Sequence, residues 1–277
     1  MTLMSKAVIN RAVPNDHARQ VNAFYYIGRI PGQDAALRFL DLGAGDGRSF
    51  DHLRAKFPDA DWIGLDIANS SEVRSRTRDD CKFVTYDGVN IPFPAGRFDV
   101  VFSRQVFEHV RHPEPLLREI VRVLRSGGRF IGSVSQLEPF HSASLWNFTY
   151  FGFAQIATDA GLELVELRPG IDGMTLTLRN LVLAGLRARS TLFQKYFDEE
   201  SPGNLAIEAL LTPDKMDPAN RAEFERLKSF LSRDFPTSGI LRAYVPREDP
   251  TVADVNLMKL KYAGHFCFEF SNPSPKP

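Results

Sequence analysis

An apolar run that breaks into three alternate glycines, Phe39-Leu40-Asp41-Leu42-Gly43-Ala44-Gly45-Asp46-Gly47, limits what this chain can build. The residues before the glycines have strand character, and the amphipathic stretch 48–58 that follows has helix character. Glycine removes Cβ and permits positive φ, so the turn between them is a place where a ligand or another backbone comes close. At the carboxyl end of a first strand, such a turn lies on the ligand-binding rim of an open α/β sheet.

The rest of the chain supports that frame. From residue 37 onward, short apolar runs alternate with amphipathic stretches. Strands are expected at "LRFLDLG", "DWIGLDI", "CKFVTYD", "FDVVFSRQ", "RFIGSVS" and "ELVELRP". Helices are expected at 48–57, 69–78, 113–126 and 149–162, the third with Leu116, Leu117, Ile120, Val121 and Leu124 at helical spacing before a Gly-Gly stop. Buried, non-alternating strands that take turns with helices predict a parallel sheet covered on both faces. Residues 1–35 read as a helical lead-in around "DHARQVNAFYYIGRI" that ends at Pro31-Gly32. After Gly170 the rhythm changes to helical stretches at 175–197, 201–211 and 217–235, then a loop over "GILRAYVPREDPTV". The run "HFCFEF", 265–270, has strand character and needs a sheet to join.

Composition bounds the partners. The 277 residues are 43% hydrophobic and carry 34 basic and 34 acidic side chains, so the net charge is zero. A nucleic-acid binder would show a basic footprint, and none is present. No apolar run has the length of a membrane span, and the first seventeen residues lack the apolar core of a signal peptide. Cys81 and Cys267 have no metal-ligand spacing and make no disulfide framework. The expectation is a cytoplasmic protein with no metal, no membrane insertion and a small-molecule substrate.

Charge then discriminates between ligands for the glycine turn. Gly43, Gly45 and Gly47 give G-x-G-x-G, with Arg48 where a dinucleotide-binding loop would place its last glycine. Asp41 and Asp46 flank the turn. Two like unit charges about 4 Å apart repel by roughly 4 kcal/mol at an effective dielectric of about 20, so a diphosphate is disfavoured here and a cationic nucleoside is favoured. Asp66 ends the second strand, about twenty residues on, where a carboxylate accepts from ribose hydroxyls. Asp87 ends the third strand beside Gly88, placed to accept from an exocyclic amine. An NAD-dependent oxidoreductase is the alternative on a similar sheet, and a non-catalytic cofactor-binding partner protein is another.

At this point "FLDLGAGDG", "IGLDIA", "VTYDGVNIPFPAGRFDVVFSRQVFEHV" and "LLREIVRVLRSGGRFIGSV" resemble the class I S-adenosylmethionine-dependent methyltransferases, in the branch that methylates small molecules. The resemblance covers about residues 36–170. It implies a Rossmann-like, seven-stranded, mostly parallel sheet with helices on both faces, made from 36–170 and 262–272. It also implies that Asp41 and the backbone of Gly43 and Gly45 hold the methionine moiety. Asp66 would take the ribose and Ile67 the adenine face, while Asp87 and Gly88 take the adenine amine. Ser103 and Arg104 would line the methyl end. The family's seventh strand usually follows the sixth closely; here 171–261 intervenes, and it is expected to be a mainly helical insertion acting as lid, substrate wall or homodimer surface. Two imidazoles are candidates for catalysis. His141 follows the fifth strand in "LEPFHSASLWNFT", and His109 lies in "FEHV", where a structural role is its alternative. The expected reaction is methyl transfer to an oxygen of a small molecule, with a sugar or glycan-pathway acceptor suggested by the stretch after the fifth strand.

Overall fold

The computed structural model describes residues 3–32, 36–138, 144–186, 194–212 and 250–274. Seven strands form one sheet: β1 (Arg38–Leu42), β2 (Asp61–Ile67), β3 (Lys82–Tyr86), β4 (Phe98–Arg104), β5 (Leu124–Ser135), β6 (Glu163–Pro169) and β7 (His265–Ser271). Their spatial order is β3-β2-β1-β4-β5-β7-β6. Strands β1 to β5 pair in parallel, and β7 runs antiparallel to both of its neighbours, β5 and β6. The sheet is therefore the mostly parallel one expected from the sequence, and "HFCFEF" does find its place inside it.

The helices follow from local sequence. Gly47 adopts a left-handed φ of 86° and opens α3 (Arg48–Lys56), which follows α1 (Lys6–Ala12) and α2 (Phe24–Arg29). The polar helix α4 is short, Ser71–Arg74, and is capped by the Ser70 side chain, which accepts from the Val73 N–H. Helix α5 (Pro113–Val123) starts on proline and buries Leu116, Leu117, Ile120 and Val123 on one face. Thr149 caps α6 (Tyr150–Asp159). After β6 come α7 (Gly173–Leu186), a 3₁₀ turn (Gln194–Phe197), α8 (Pro202–Leu211) and α9 (Val252–Tyr262). The expected helix over 217–235 and the expected loop before residue 250 lie outside the described residues, as do the basic residues 187 and 189.

Two apolar layers flank the sheet. One joins Leu40, Leu42, Val101, Phe130, Phe266, Phe268 and Phe270 to α5, α6 and Leu260 of α9. The other joins Phe39, Phe102, Ile131 and Cys267 to α2, α3 and Trp62.

Two expectations about the flanks need correction. Residues 16–22 are not helical; α1 and α2 lie on either side of an irregular segment. Its backbone is claimed by distant partners. Val21 N–H donates to Pro169 O at 3.0 Å. Asn256 Nδ2 donates to the carbonyls of Pro14 and His17 at 2.9 Å each, and Lys259 Nζ donates to Ala18 O at 2.7 Å. Helix α9, in turn, lies partly where the sequence reading had only a loop and an unassigned stretch. Its signal is the capping box of Thr251 and Asp254.

The same segment joins the residues between β6 and β7 to the sheet. Gln20 Oε1 accepts from Ser201 N–H and from Asn204 Nδ2 at 2.8 Å each, and Gln20 Nε2 donates to Tyr196 O at 2.7 Å. Arg168, buried on β6, donates to Asp16 and Glu166 at 2.7 Å each. Lys259 is fully buried, with Glu200 at 2.5 Å and Glu208 at 2.9 Å. Removing a carboxylate from a buried ammonium costs more than removing the ammonium, because the remaining charge has no water to return to. The double variant Glu200→Ala/Glu208→Ala, which strips the ammonium of both carboxylates, is therefore expected to lower unfolding stability by about 3 kcal/mol, and Lys259→Met by clearly less. Urea denaturation of both variants checks the order.

Candidate active site

The rim is assembled from the ends of four adjacent strands. At β1 the Asp41 carboxylate is 3% exposed and accepts a short hydrogen bond from the Ser49 hydroxyl of α3. Burial pushes its acidity down, raising the pKa to about 7, and Ser49 and the nearby Arg104 charge only partly oppose this. It is an acid whose charge is poorly compensated by its surroundings.

The glycine turn above it is fastened to β2. Gly43 and Ala44 N–H groups donate to Leu65 O at 2.8 and 3.2 Å, and Gly45 N–H donates to Asp66 Oδ2 at 2.8 Å. Gly43 has φ of 72°, and a Cβ there would lie 2.3 Å from Val106 Cγ2. The close approach foreseen at this glycine is therefore made by a side chain of the chain itself. Asp66 also accepts from Ile67 N–H at 2.8 Å, and burial raises its pKa. Arg76, absent from the sequence-based candidates, donates to Gly45 O at 2.6 and 2.9 Å and stacks over Phe83 at 3.5 Å. In sequence it is one cation of the run "RSRTRDD", with nothing to separate it from a solvated face.

Past β2, Ile67 is 44% exposed, and a Cβ on Gly88 would sit 3.7 Å from its Cγ2. The two positions are therefore close neighbours, within van der Waals reach of each other. Asp87 is exposed and closes its own turn, accepting from Val89 N–H at 2.8 Å and from Asn90 N–H and Nδ2 at 2.6 Å each. These bonds, Asn90 Nδ2 foremost, hold its pKa below the usual carboxylate range. Of about four lone-pair sites on a carboxylate, three are occupied, which leaves Oδ2 one acceptor position toward the rim.

At β4, the Ser103 hydroxyl is fully buried with no hydrogen-bond partner among the described residues. Arg104 is open to solvent yet ringed by protein atoms, as a group in a cleft would be, and desolvation lowers its pKa. Its guanidinium lies over the Phe24 ring at 5.0 Å. Tyr25 and Tyr26 do not reach the rim: Tyr25 joins His17 and Arg29, and Tyr26 is buried in the core.

Of the two candidate imidazoles, His109 is on the 3₁₀ turn after β4 and is half-buried. His141 lies outside the described residues. A third imidazole, His265, stands at the rim at the start of β7, with Nε2 2.8 Å from Glu138. Among the described residues no group of three or more His, Cys, Asp or Glu is placed to hold a metal ion, and no helix is long and apolar enough to cross a membrane.

The arrangement accordingly offers a buried acid with little to compensate its charge, a second carboxylate at the adjoining strand end, and an exposed apolar side chain, Ile67, beyond it. Residues 40–132 match the methyltransferase-domain family. These residues form a class I methyltransferase domain. Relatives of the domain include the fatty-acid O-methyltransferase of Mycolicibacterium smegmatis, 26% identical over 62% of this chain and 62% of that one. The demethylmenaquinone methyltransferase of Renibacterium salmoninarum is 32% identical over 38% of this chain and 42% of its own length. The chain thus spans under two thirds of these relatives. A methyltransferase from Haloferax volcanii, solved with an activator protein, superimposes with a TM-score of 0.52 at 18% identity over 91% of this chain and 89% of that one. This likeness concerns the fold.

The Asp41 carboxyl gives the domain a pH signature. Its folded pKa of about 7 exceeds the ordinary value of 3.8, so the folded state binds this proton more tightly than the unfolded state. The contribution favours folding at pH 4 and is lost as pH rises toward 7. Asp41→Asn should flatten that loss by a few kcal/mol between pH 4 and 7. Unfolding stability of both proteins in urea across this range checks it.

Proposed function

We propose that the chain transfers a methyl group from S-adenosylmethionine to an oxygen of a small-molecule acceptor. One observation carries this reading: the buried, undercompensated carboxylate of Asp41 precedes a glycine turn, with Asp66 and the exposed Ile67 at the next strand end. When bound, S-adenosylmethionine supplies an activated methyl group on a cationic sulfur.

The residues fit that group in order. Asp41 receives the cationic methionine end, which restores its ionised state. The N–H groups of Gly43 and Gly45 are already used inside the chain, so these glycines contribute shape and carbonyl oxygens. Asp66 takes the ribose hydroxyls, Ile67 lies against the adenine face, and the remaining lone pair of Asp87, with the backbone at Gly88, takes its amine. Ser103 offers its unpaired hydroxyl beneath the methyl end, and Arg104 lines the cleft beside it. An oxygen acceptor is supported by the fatty-acid O-methyltransferase among the relatives; a sugar hydroxyl satisfies the same requirement. Between β6 and β7, the described turn 194–199 forms a wall of the acceptor cleft. This is supported by Asp198, which accepts from Asn22 Nδ2 at 2.7 Å and lies within electrostatic range of Arg104.

Titration calorimetry tests the proposal. S-adenosylmethionine should bind and NAD should not. Asp66→Ala should weaken binding tenfold or more, from the loss of charge-assisted hydrogen bonds worth about 1.5–3 kcal/mol. Binding near pH 7 should release about half a proton, because a cation drives ionisation of a half-protonated Asp41. Asp41→Asn should abolish that release. NAD binding without S-adenosylmethionine binding would assign the rim to a dinucleotide.

A further inference from the structure

We infer that His265, oriented by Glu138, is the proton acceptor for the methyl acceptor, and that the acceptor is a hydroxyl compound rather than a carboxylate. The inference rests on the proposed methyl transfer and adds a residue and a substrate class to it.

Topology brings His265 to the rim. Strand β7 runs antiparallel to β5, so its first residue pairs with the last residue of β5, Ser135. Arg104, at the end of β4, pairs with Ser133, two residues earlier on β5. His265 is therefore one strand beyond the Arg104 partner and slightly above it. Along β7, Phe266 and Phe268 enter one apolar layer and Cys267 the other, so His265 takes the Cys267 face, shared with Phe24 and Phe102.

The ring is held for proton transfer. Glu138, 5% exposed, faces His265 Nε2 at 2.8 Å and also accepts from the Ser135 hydroxyl at 2.8 Å. A carboxylate on Nε2 fixes the proton there and leaves the Nδ1 lone pair as the basic site. Nδ1 has no hydrogen bond to a described residue, and the side chain keeps 13% of its surface exposed. Phe197 packs against the ring with centroids 5.9 Å apart. The next residue, Asp198, is the group within electrostatic range of Arg104. One short turn thus carries both the ring packed on His265 and a carboxylate that acts on Arg104.

The charges around that space select the acceptor. Glu108 reaches the same Ser135 hydroxyl at 3.2 Å. Asp198 stands beside Phe197, and Lys195 on that turn pairs with Glu199 at 3.4 Å. Asp172, in the turn after β6, is occupied by Thr175 and the Gly203 N–H. Among the described residues the carboxylates of Glu138, Glu108 and Asp198 stand with the guanidiniums of Arg104 and of Arg179, the latter over the Phe197 ring at 5.1 Å, a setting without the excess of positive charge that would draw in a carboxylate acceptor. A carboxylate also needs no base. A hydroxyl does: its proton passes to Nδ1, and the O–H electron pair stays on oxygen. That oxygen bonds the methyl carbon as the carbon–sulfur bond breaks, with its pair left on sulfur. The imidazolium then returns its proton to water.

The test uses the full chain and two probe sets: catechol, octylhydroquinone and octyl glucoside as hydroxyl compounds, and octanoate and palmitate as acids. A hydroxyl probe should be methylated. His265→Ala should lower kcat tenfold or more, with KM and S-adenosylmethionine affinity within twofold, and added imidazole should restore part of the rate. Glu138→Ala should lower kcat with KM within twofold, and Glu138→Asp should recover part of the rate. Independently of turnover, diethyl pyrocarbonate should modify His265 in the wild-type protein, and the methylated hydroxyl probe should slow this. Wild-type kcat in His265→Ala, no response to imidazole, a His265 ring inert to the reagent, or preferential methylation of the acids overturns the inference. If S-adenosylmethionine binds and no hydroxyl probe is methylated, the inference also fails; if it does not bind, the methyltransferase reading itself fails.

Discussion

The carboxylate of Asp41 is buried at the end of a central strand, and the site is arranged around that fact. An ordinary core position there would be apolar, as Leu40 and Leu42 on either side are. A charge at this depth has only a serine hydroxyl and a partly desolvated arginine to answer it. The chain retains an energetically unfavourable group where a cation can relieve it, which is how a binding site draws affinity from its own unsatisfied state. The Leu65 carbonyl and Arg76 hold in place the glycine turn that follows this strand.

Much of this was legible in the sequence because strand ends are legible. Buried parallel strands are continuous apolar runs, and an acid at the close of each run stands out; Asp41, Asp66 and Asp87 were placed in this way. Neither the local closure of Asp87 by Asn90 nor the packing of Val106 against Gly43 could be read, since both depend on how loops return after leaving the strand. His265 was hidden for a different reason. Its position on the rim follows only from the antiparallel entry of β7 beside β5, and a run such as "HFCFEF" shows strand character without direction or neighbour.

The misread flanks have one common physical origin. Helix α9 buries Asn256 and Lys259 along with Val255 and Leu260, so its inner face is partly polar and its periodicity is weak. Those polar side chains are inside because they hold the carbonyls of Pro14, His17 and Ala18. The same bonds keep residues 14–22 out of a helix, since a carbonyl that accepts from α9 serves tertiary structure first. A reading that treats each segment alone cannot recover either element, because each is the reason for the other's form.

This mutual dependence bears on the cleft as well. The turn carrying Phe197 and Asp198 is held through Tyr196 O and Asp198 by Gln20 and Asn22, and Gln20 also holds the start of α8. The lead-in is therefore not a passive extension of the sheet: it holds the turn of Phe197 and Asp198 in place. Buried polar pairs of this kind specify one arrangement more than they add net stability, because their desolvation offsets much of their attraction. A methyl transfer needs its acceptor aligned along one direction. On the proposed reaction, placing the turn of Phe197 and Asp198 by hydrogen bonds with fixed geometry, rather than by apolar contact alone, would supply that direction from residues far apart in the chain.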